Sequence, residues 1–95
     1  MILAKVLGNI ISTVKVDGIK GSKYMIVTPS TPSGEAGKET LVALDLVGSS
    51  TGELVLVSQG SSVRQTEYTK DKPVDAVIMG IVDIVEEEGK VVFRK

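Results

Sequence analysis

Apolar and polar positions alternate along most of the chain. In residues 2–14 one face carries Ile2, Ala4, Val6, Gly8 and Ile10, and the other carries Leu3, Lys5, Leu7, Asn9, Ile11 and Thr13. A period of two sustained over this length predicts a long strand. Gly8 within it predicts a bulge or a sharp bend, as small barrels require. KYMIVTP (23–29) reads as a second strand stopped by Pro29, TLVALDL (40–46) as a third and ELVLV (53–57) as a fourth. The segments between them carry turn chemistry: VDGIKG (16–21), the Pro- and Gly-rich hairpin loop 28–39, and the tight Gly/Ser loop GSSTG (48–52). GSSVRQT (60–66) predicts one helical turn and KDKPVD (70–75) a break. AVIMGIVDIVE (76–86) and KVVFRK (90–95) are expected to form a final hairpin around EEEG (86–89).

These elements predict an all-β fold: a small five-stranded OB-like β-barrel with one short helix and an extra β-hairpin, in a single domain spanning 1–95. The strands share an anomaly. Leu3, Leu7 and Ile11 are apolar on the face opposite Ile2, Val6 and Ile10, and Val77, Met79, Ile81 and Val82 crowd both sides of theirs. A small barrel has one interior face per strand, and large apolar patches are not left in water by monomers. Burial against further copies of the chain resolves the conflict, so the pattern predicts a barrel that oligomerises.

Composition narrows the chemistry. The chain has 95 residues, one domain's worth, and its apolar 42% is mostly Val, Ile and Leu, with only Tyr24, Tyr68 and Phe93 as aromatics. The net charge of −1 provides no field of one sign to attract nucleic acid or an anionic membrane. There is no cysteine, hence no disulfide framework or thiol nucleophile, and no histidine, the commonest general base and metal ligand. The N-terminal apolar stretch is interrupted by Lys5 and Asn9 and has no signal-peptide cleavage site. No run reaches the roughly 18 apolar residues of a membrane span. A soluble, cytoplasmic protein is expected, without cofactor, metal, nucleic-acid or membrane partner.

Candidate sites are weighed against structural roles. Gly60, Ser61 and Ser62 resemble an anion nest or an activated serine at a strand end, but a nucleophile needs a base in reach and no phosphate-loop motif is present. Ser62 with Gln65 fits a capping box, which gives the serine a structural task. The loop Gly48, Ser49, Ser50, Thr51, Gly52, followed by Glu53, could cradle a phosphate through its amides, although a simple turn is favoured. Asp45, Asp75 and Asp83 sit in or beside apolar strands, where they either cap loops or pair with Arg64 or a lysine. No calcium-loop spacing occurs among them. An OB domain that binds single strands stacks bases on aromatics in a basic groove, for which three scattered aromatics are a poor basis.

Taken in order, the motifs resemble the EutN/CcmL family of bacterial microcompartment vertex proteins. LGNIISTVK (7–15) is similar to the family's opening strand, and GSKYMIV (21–27) to its Gly-x-Lys and apolar strand. In ALDLVGSSTGELVLVSQGSSVRQ (43–65), Asp45, Gly48, Gly52, Glu53, Gly60, Ser61, Ser62 and Arg64 take the places of the family's most specific block. Pro73, Asp75, Gly80 and Asp83 match its later elements.

The resemblance implies a non-enzymatic structural protein. Five copies would form a truncated pyramid at the five-fold vertices of a cytoplasmic microcompartment, among hexameric and pseudo-hexameric shell proteins. Leu3, Leu7 and Ile11 are then candidates for subunit packing, with Asp45, Glu53, Ser62, Arg64, Asp75 and Asp83 as subunit or structural contacts. The family's Gly-Ala-Gly is here Gly48-Ser49-Ser50. The resemblance places this loop, through Thr51 and Gly52, near an axial opening. The alternative is an OB-fold module for a ligand or a single-stranded nucleic acid.

Overall fold

In the computed structural model the described residues are 1–11, 23–60 and 76–95, and they carry seven strands. Strands β1 (Ile2–Ile10), β2 (Lys23–Pro29), β3 (Leu41–Asp45), β4 (Leu54–Gln59) and β5 (Ala76–Ile81) form a closed barrel in the order β1-β2-β3-β5-β4. All pairings are antiparallel except β3 with β5, which is parallel. Closure leaves no barrel strand with an open edge, which a five-stranded sheet of aliphatic strands would otherwise expose to aggregation.

The expected bend in β1 is present. The β1–β2 register shifts between Val6 and Gly8, so Leu7 is an extra residue without a partner in β2. A second shift lies between Leu56 and Val57 in the β4–β5 ladder, where Leu56 faces Gly80 and Val57 faces Ile78, leaving Met79 as the extra residue. Such bulges bend strands and let a short barrel close.

One face of each strand fills the interior with Ala4, Val6, Met25, Val27, Ala43, Val55, Val57, Ala76 and Ile78, all buried. The alanines on β1, β3 and β5 alternate with longer side chains, which is how a narrow barrel is filled without voids. Leu44 and Val77 form a second, smaller buried cluster with Tyr24 packed against it.

The C-terminal segment departs from expectation. Residues 76–86 are not one strand. The run breaks at Val82–Asp83: β5 completes the barrel, and only β6 (Ile84–Glu87) pairs with β7 (Lys90–Arg94), as a separate two-stranded sheet. Alternation continues across the break, so the pattern alone does not show where one set of ladder partners is exchanged for another. The turn is Glu88–Gly89, with φ of 53° and 78°. Two residues with positive φ match the twist of a tight hairpin. The expected helical turn at 60–66, apart from Gly60, and with it Ser62 and Arg64, lies outside the described residues, as do Asp75 and the turn at 16–21.

Candidate functional site

Two features stand out from the barrel: the loop joining β3 to β4, and the apolar positions on its outer wall. The loop begins at Asp45, the last residue of β3 and 9% exposed. Its Oδ1 accepts the N–H of Val47 at 3.1 Å and its Oδ2 the N–H of Ser49 at 2.9 Å. Of the roles expected for this carboxylate, capping the loop is observed, while Arg64, the expected ion-pair partner, lies outside the described residues. Gly48 and Gly52 take φ of +73° and +93°, a region that costs other residues strain. Ser50 does not have a positive φ, so the serine in place of the family's second loop glycine brings no such strain.

The far end of the loop is held by Glu53. Its Oε1 accepts the Ser50 N–H at 2.6 Å, while its own N–H donates to the Ser50 carbonyl at 3.1 Å. Gly52 donates to the Val6 carbonyl at 2.8 Å and Val6 to the Glu53 carbonyl at 2.9 Å, which ties the loop to β1 beside its bulge. Lys95 Nζ lies 2.6 Å from Glu53 Oε2 and 3.9 Å from Asp83 Oδ1. The bond from Lys95, followed by that from Ser50, holds the Glu53 carboxyl below its ordinary pKa. The same pairing raises Lys95 above its own. Asp83 also accepts the Lys95 backbone N–H, at 2.8 Å, through its carbonyl.

This geometry decides between the two readings of the loop. The N–H groups of Val47, Ser49, Ser50 and Gly52 all donate to acceptors within the chain. A phosphate cradle needs such groups free and converging, and here two carboxylates already hold three of them. Ser49 is fully buried and its hydroxyl has no hydrogen-bond partner among the described residues, none of which is placed as a base to activate it. The loop is a braced turn. The two described aromatics provide no open stacking platform either: Tyr24 packs on the Leu44–Val77 cluster and the Phe93 ring lies against Gly34. Tyr68 lies outside the described residues.

The outer wall carries two apolar patches, one on each side of β1. In the first, Leu3 pairs with Leu56 and Leu56 with Gly80, beside the bulged Met79. Leu56 and Met79 are 36% and 39% exposed. A Cβ on Gly80 would sit 3.6 Å from Leu56 Cδ1, so the glycine leaves room for that side chain to lie across β5. In the second patch, Gly8 pairs with Ile26 and Ile26 with Val42, beside the bulged Leu7. Val42 and Leu7 are 52% and 43% exposed.

Leu3, Leu7 and Ile11 therefore do not make one stripe. The bulge assigns Leu3 to the first patch and Leu7 to the second, and Ile11 stands exposed just past the end of β1. Leu56 and Val42 were not singled out from the sequence. Each occupies the outward phase of a strand whose inward phase is Val55/Val57 or Ala43, so the signal emerges once the inward face is known.

Comparison with known proteins bears on these features. A family model described as ethanolamine utilisation protein EutN/carboxysome matches residues 1–83. The bacterial microcompartment shell vertex protein EutN of Escherichia coli K12 is 41% identical over 95 residues, covering 100% of both chains. The carboxysome shell vertex protein CcmL of Synechococcus elongatus is 38% identical, covering 100% of this chain and 96% of its own. Among solved structures, Gloeobacter violaceus CcmL superposes with a TM-score of 0.92 at 33% identity, covering 100% of this chain and 98% of the other. The pentameric microcompartment shell protein GrpN of Rhodospirillum rubrum gives 0.81 at 40%, covering 92% and 99%.

Proposed function

The chain belongs to the EutN/CcmL family, and on that premise we propose that it is a structural protein whose copies assemble as a homopentamer at the vertices of a bacterial microcompartment shell. Relatives aligned over the whole chain are named shell vertex proteins, and two structural relatives are named pentameric. The observation that carries the reading is the pair of separate apolar patches flanking β1. A cyclic ring uses a heterologous contact, in which one patch meets a different patch on the neighbour until the rotation closes. A barrel with Leu3, Leu56 and Met79 on one side and Leu7, Ile26 and Val42 on the other has the two surfaces such a contact requires.

Hexameric and pseudo-hexameric shell proteins are the partners assigned to the ring's outer rim, within a cytoplasmic shell. The β3–β4 loop is assigned to the axial opening. Ser50 and Thr51 are exposed and Ser49 is buried, so the hydroxyls offered to that opening come from Ser50 and Thr51. A plugged or water-filled dimple at that opening is the reading adopted over a conducting pore. No catalytic role is assigned.

The test is the solution mass of the purified protein by light scattering. The expected result is five chains of 10.0 kDa each. A stable monomer at micromolar concentration would overturn the proposal.

A further inference from the structure

The hairpin β6–β7 stands outside the barrel, and among the described residues few contacts bind it there. Phe93 packs on Gly34 and Lys95 Nζ reaches Glu53, while the Lys95 N–H, bonded to the Asp83 carbonyl, only extends the hairpin's own ladder past the Ile84–Arg94 pair. An isolated two-stranded hairpin is marginal in water, so these contacts matter for where it sits. Ile84 pairs with Arg94 and Glu86 with Val91, and Ile84 and Val91 are 47% and 45% exposed. The side of the hairpin that carries them is therefore open to solvent.

One of these contacts does more than anchor. Glu53 spends its two carboxylate oxygens on different elements: Oε2 on Lys95, beyond the end of β7, and Oε1 on the Ser50 amide, inside the β3–β4 loop. The side chain is 17% exposed, against 49% for Lys95, so the carboxylate is the sheltered member of the pair. Its backbone is fixed to β1 through Val6 and to the loop through Ser50. With its backbone pinned, the carboxylate has little freedom except rotation about its own bonds. Withdrawing Lys95 leaves an anion whose remaining charge-assisted partner among the described residues is a single loop amide, and its rotamer is then no longer defined from both sides.

We propose that Glu53 is a coupling residue that makes the conformation of the β3–β4 loop depend on the placement of the C-terminal hairpin. Displacement of the hairpin that takes Lys95 away from Glu53 loosens the loop at Ser50. By linkage, whatever tightens the loop holds the hairpin in place with the same free energy. The inference concerns contacts within one chain and stands apart from the ring reading, so the solution mass does not decide it.

Site-resolved amide hydrogen exchange on the full chain tests the coupling. Lys95→Met is expected to speed exchange at Ser50 about two- to fivefold, a size suited to a partly exposed ion pair, while barrel amides such as Val27 and Val55 stay unchanged. Lys95→Arg is expected to restore the slow rate. In a Glu53→Gln background, Lys95→Met is expected to add nothing. Three results would each overturn the proposal: a Ser50 rate unmoved by Lys95→Met, acceleration spread equally over the barrel, or an undiminished Lys95→Met effect once Glu53 is Gln.

Discussion

The ring of Phe93 occupies the space a side chain on Gly34 would need: a Cβ there would lie 2.8 Å from Phe93 Cδ1. Gly34 also has a φ of +92°. Sterics and backbone conformation thus demand glycine independently at the point where the loop after β2 meets the hairpin. Gly34→Ala is expected to lower stability by about 1–3 kcal/mol. Combining it with Phe93→Leu should recover the steric share and leave the backbone share. Thermal unfolding of the two variants checks this, and a Gly34→Ala protein as stable as the wild type would refute it.

Asp45 and Ser49 make a contrasting pair. Asp45→Ala removes the acceptors of two loop amides and is expected to cost about 2–3 kcal/mol. Ser49→Ala removes a buried hydroxyl that has no partner among the described residues and restores the alanine of the family pattern. It is expected to be neutral or stabilising by up to about 1 kcal/mol. Urea unfolding at one fixed protein concentration compares them without mass-action bias. A loss of stability in Ser49→Ala would mean that the hydroxyl has a partner.

The heterologous contact can be tested by mixing. Leu56→Asp spoils the first patch and Val42→Asp the second, and each variant alone is expected to be a monomer with an unchanged far-ultraviolet spectrum. Mixed in equal amounts, each retains the patch the other lacks. The expected product is a heterodimer that cannot close a ring. Rings reforming in the mixture, or no association at all, would refute the pairing of these patches.

The Glu53–Lys95 link has a defined pH window. A carboxyl whose folded pKa is depressed contributes stability above its unfolded value and loses it as pH falls through the folded one. An ammonium whose folded pKa is raised contributes below its unfolded value and loses it as pH rises through the folded one. The ordinary values are 4.5 and 10.5. Glu53 faces Lys95, and among the described residues Asp83 is the other side-chain carboxylate within reach of that ammonium. The Ser50 amide shift is therefore expected to stay flat through neutral pH, moving only in acid below the Glu value or in alkali above the Lys value. A midpoint near neutrality would show that another group controls it.

Much of the barrel was legible because its strands are short and alternate strictly. The expected strand at 23–29 coincides with β2, the bend at Gly8 falls at the β1 register shift, and the third and fourth strands differ only at their ends. The division of 76–86 was not legible, since Ile81, Val82 and Ile84 continue the apolar pattern across the break and only the ladder shows the exchange of partners. The loop's bracing was half legible. Asp45 reaches amides two and four residues ahead, a local pattern, whereas Glu53 meets Lys95 through the return of the distant hairpin. The two patches were foreseen as a surplus of apolar faces, but their division depends on a bulge whose effect on phase has to be seen.

That bulge bears on more than the strand it bends. The first half of β1 helps build one patch and the second half the other, with the Val6–Gly8 shift between them. In the proposed ring, the kink helps to set the angle between the surface a subunit presents and the surface it receives. In a head-to-tail assembly, angle and rise decide whether the last copy meets the first. The same aliphatic side chains on a straighter β1 would remain adhesive, yet they could add copies without end into an open filament. Closure, and with it the number of copies, is then a property of backbone curvature more than of stickiness, and one unpaired leucine marks where that curvature is made.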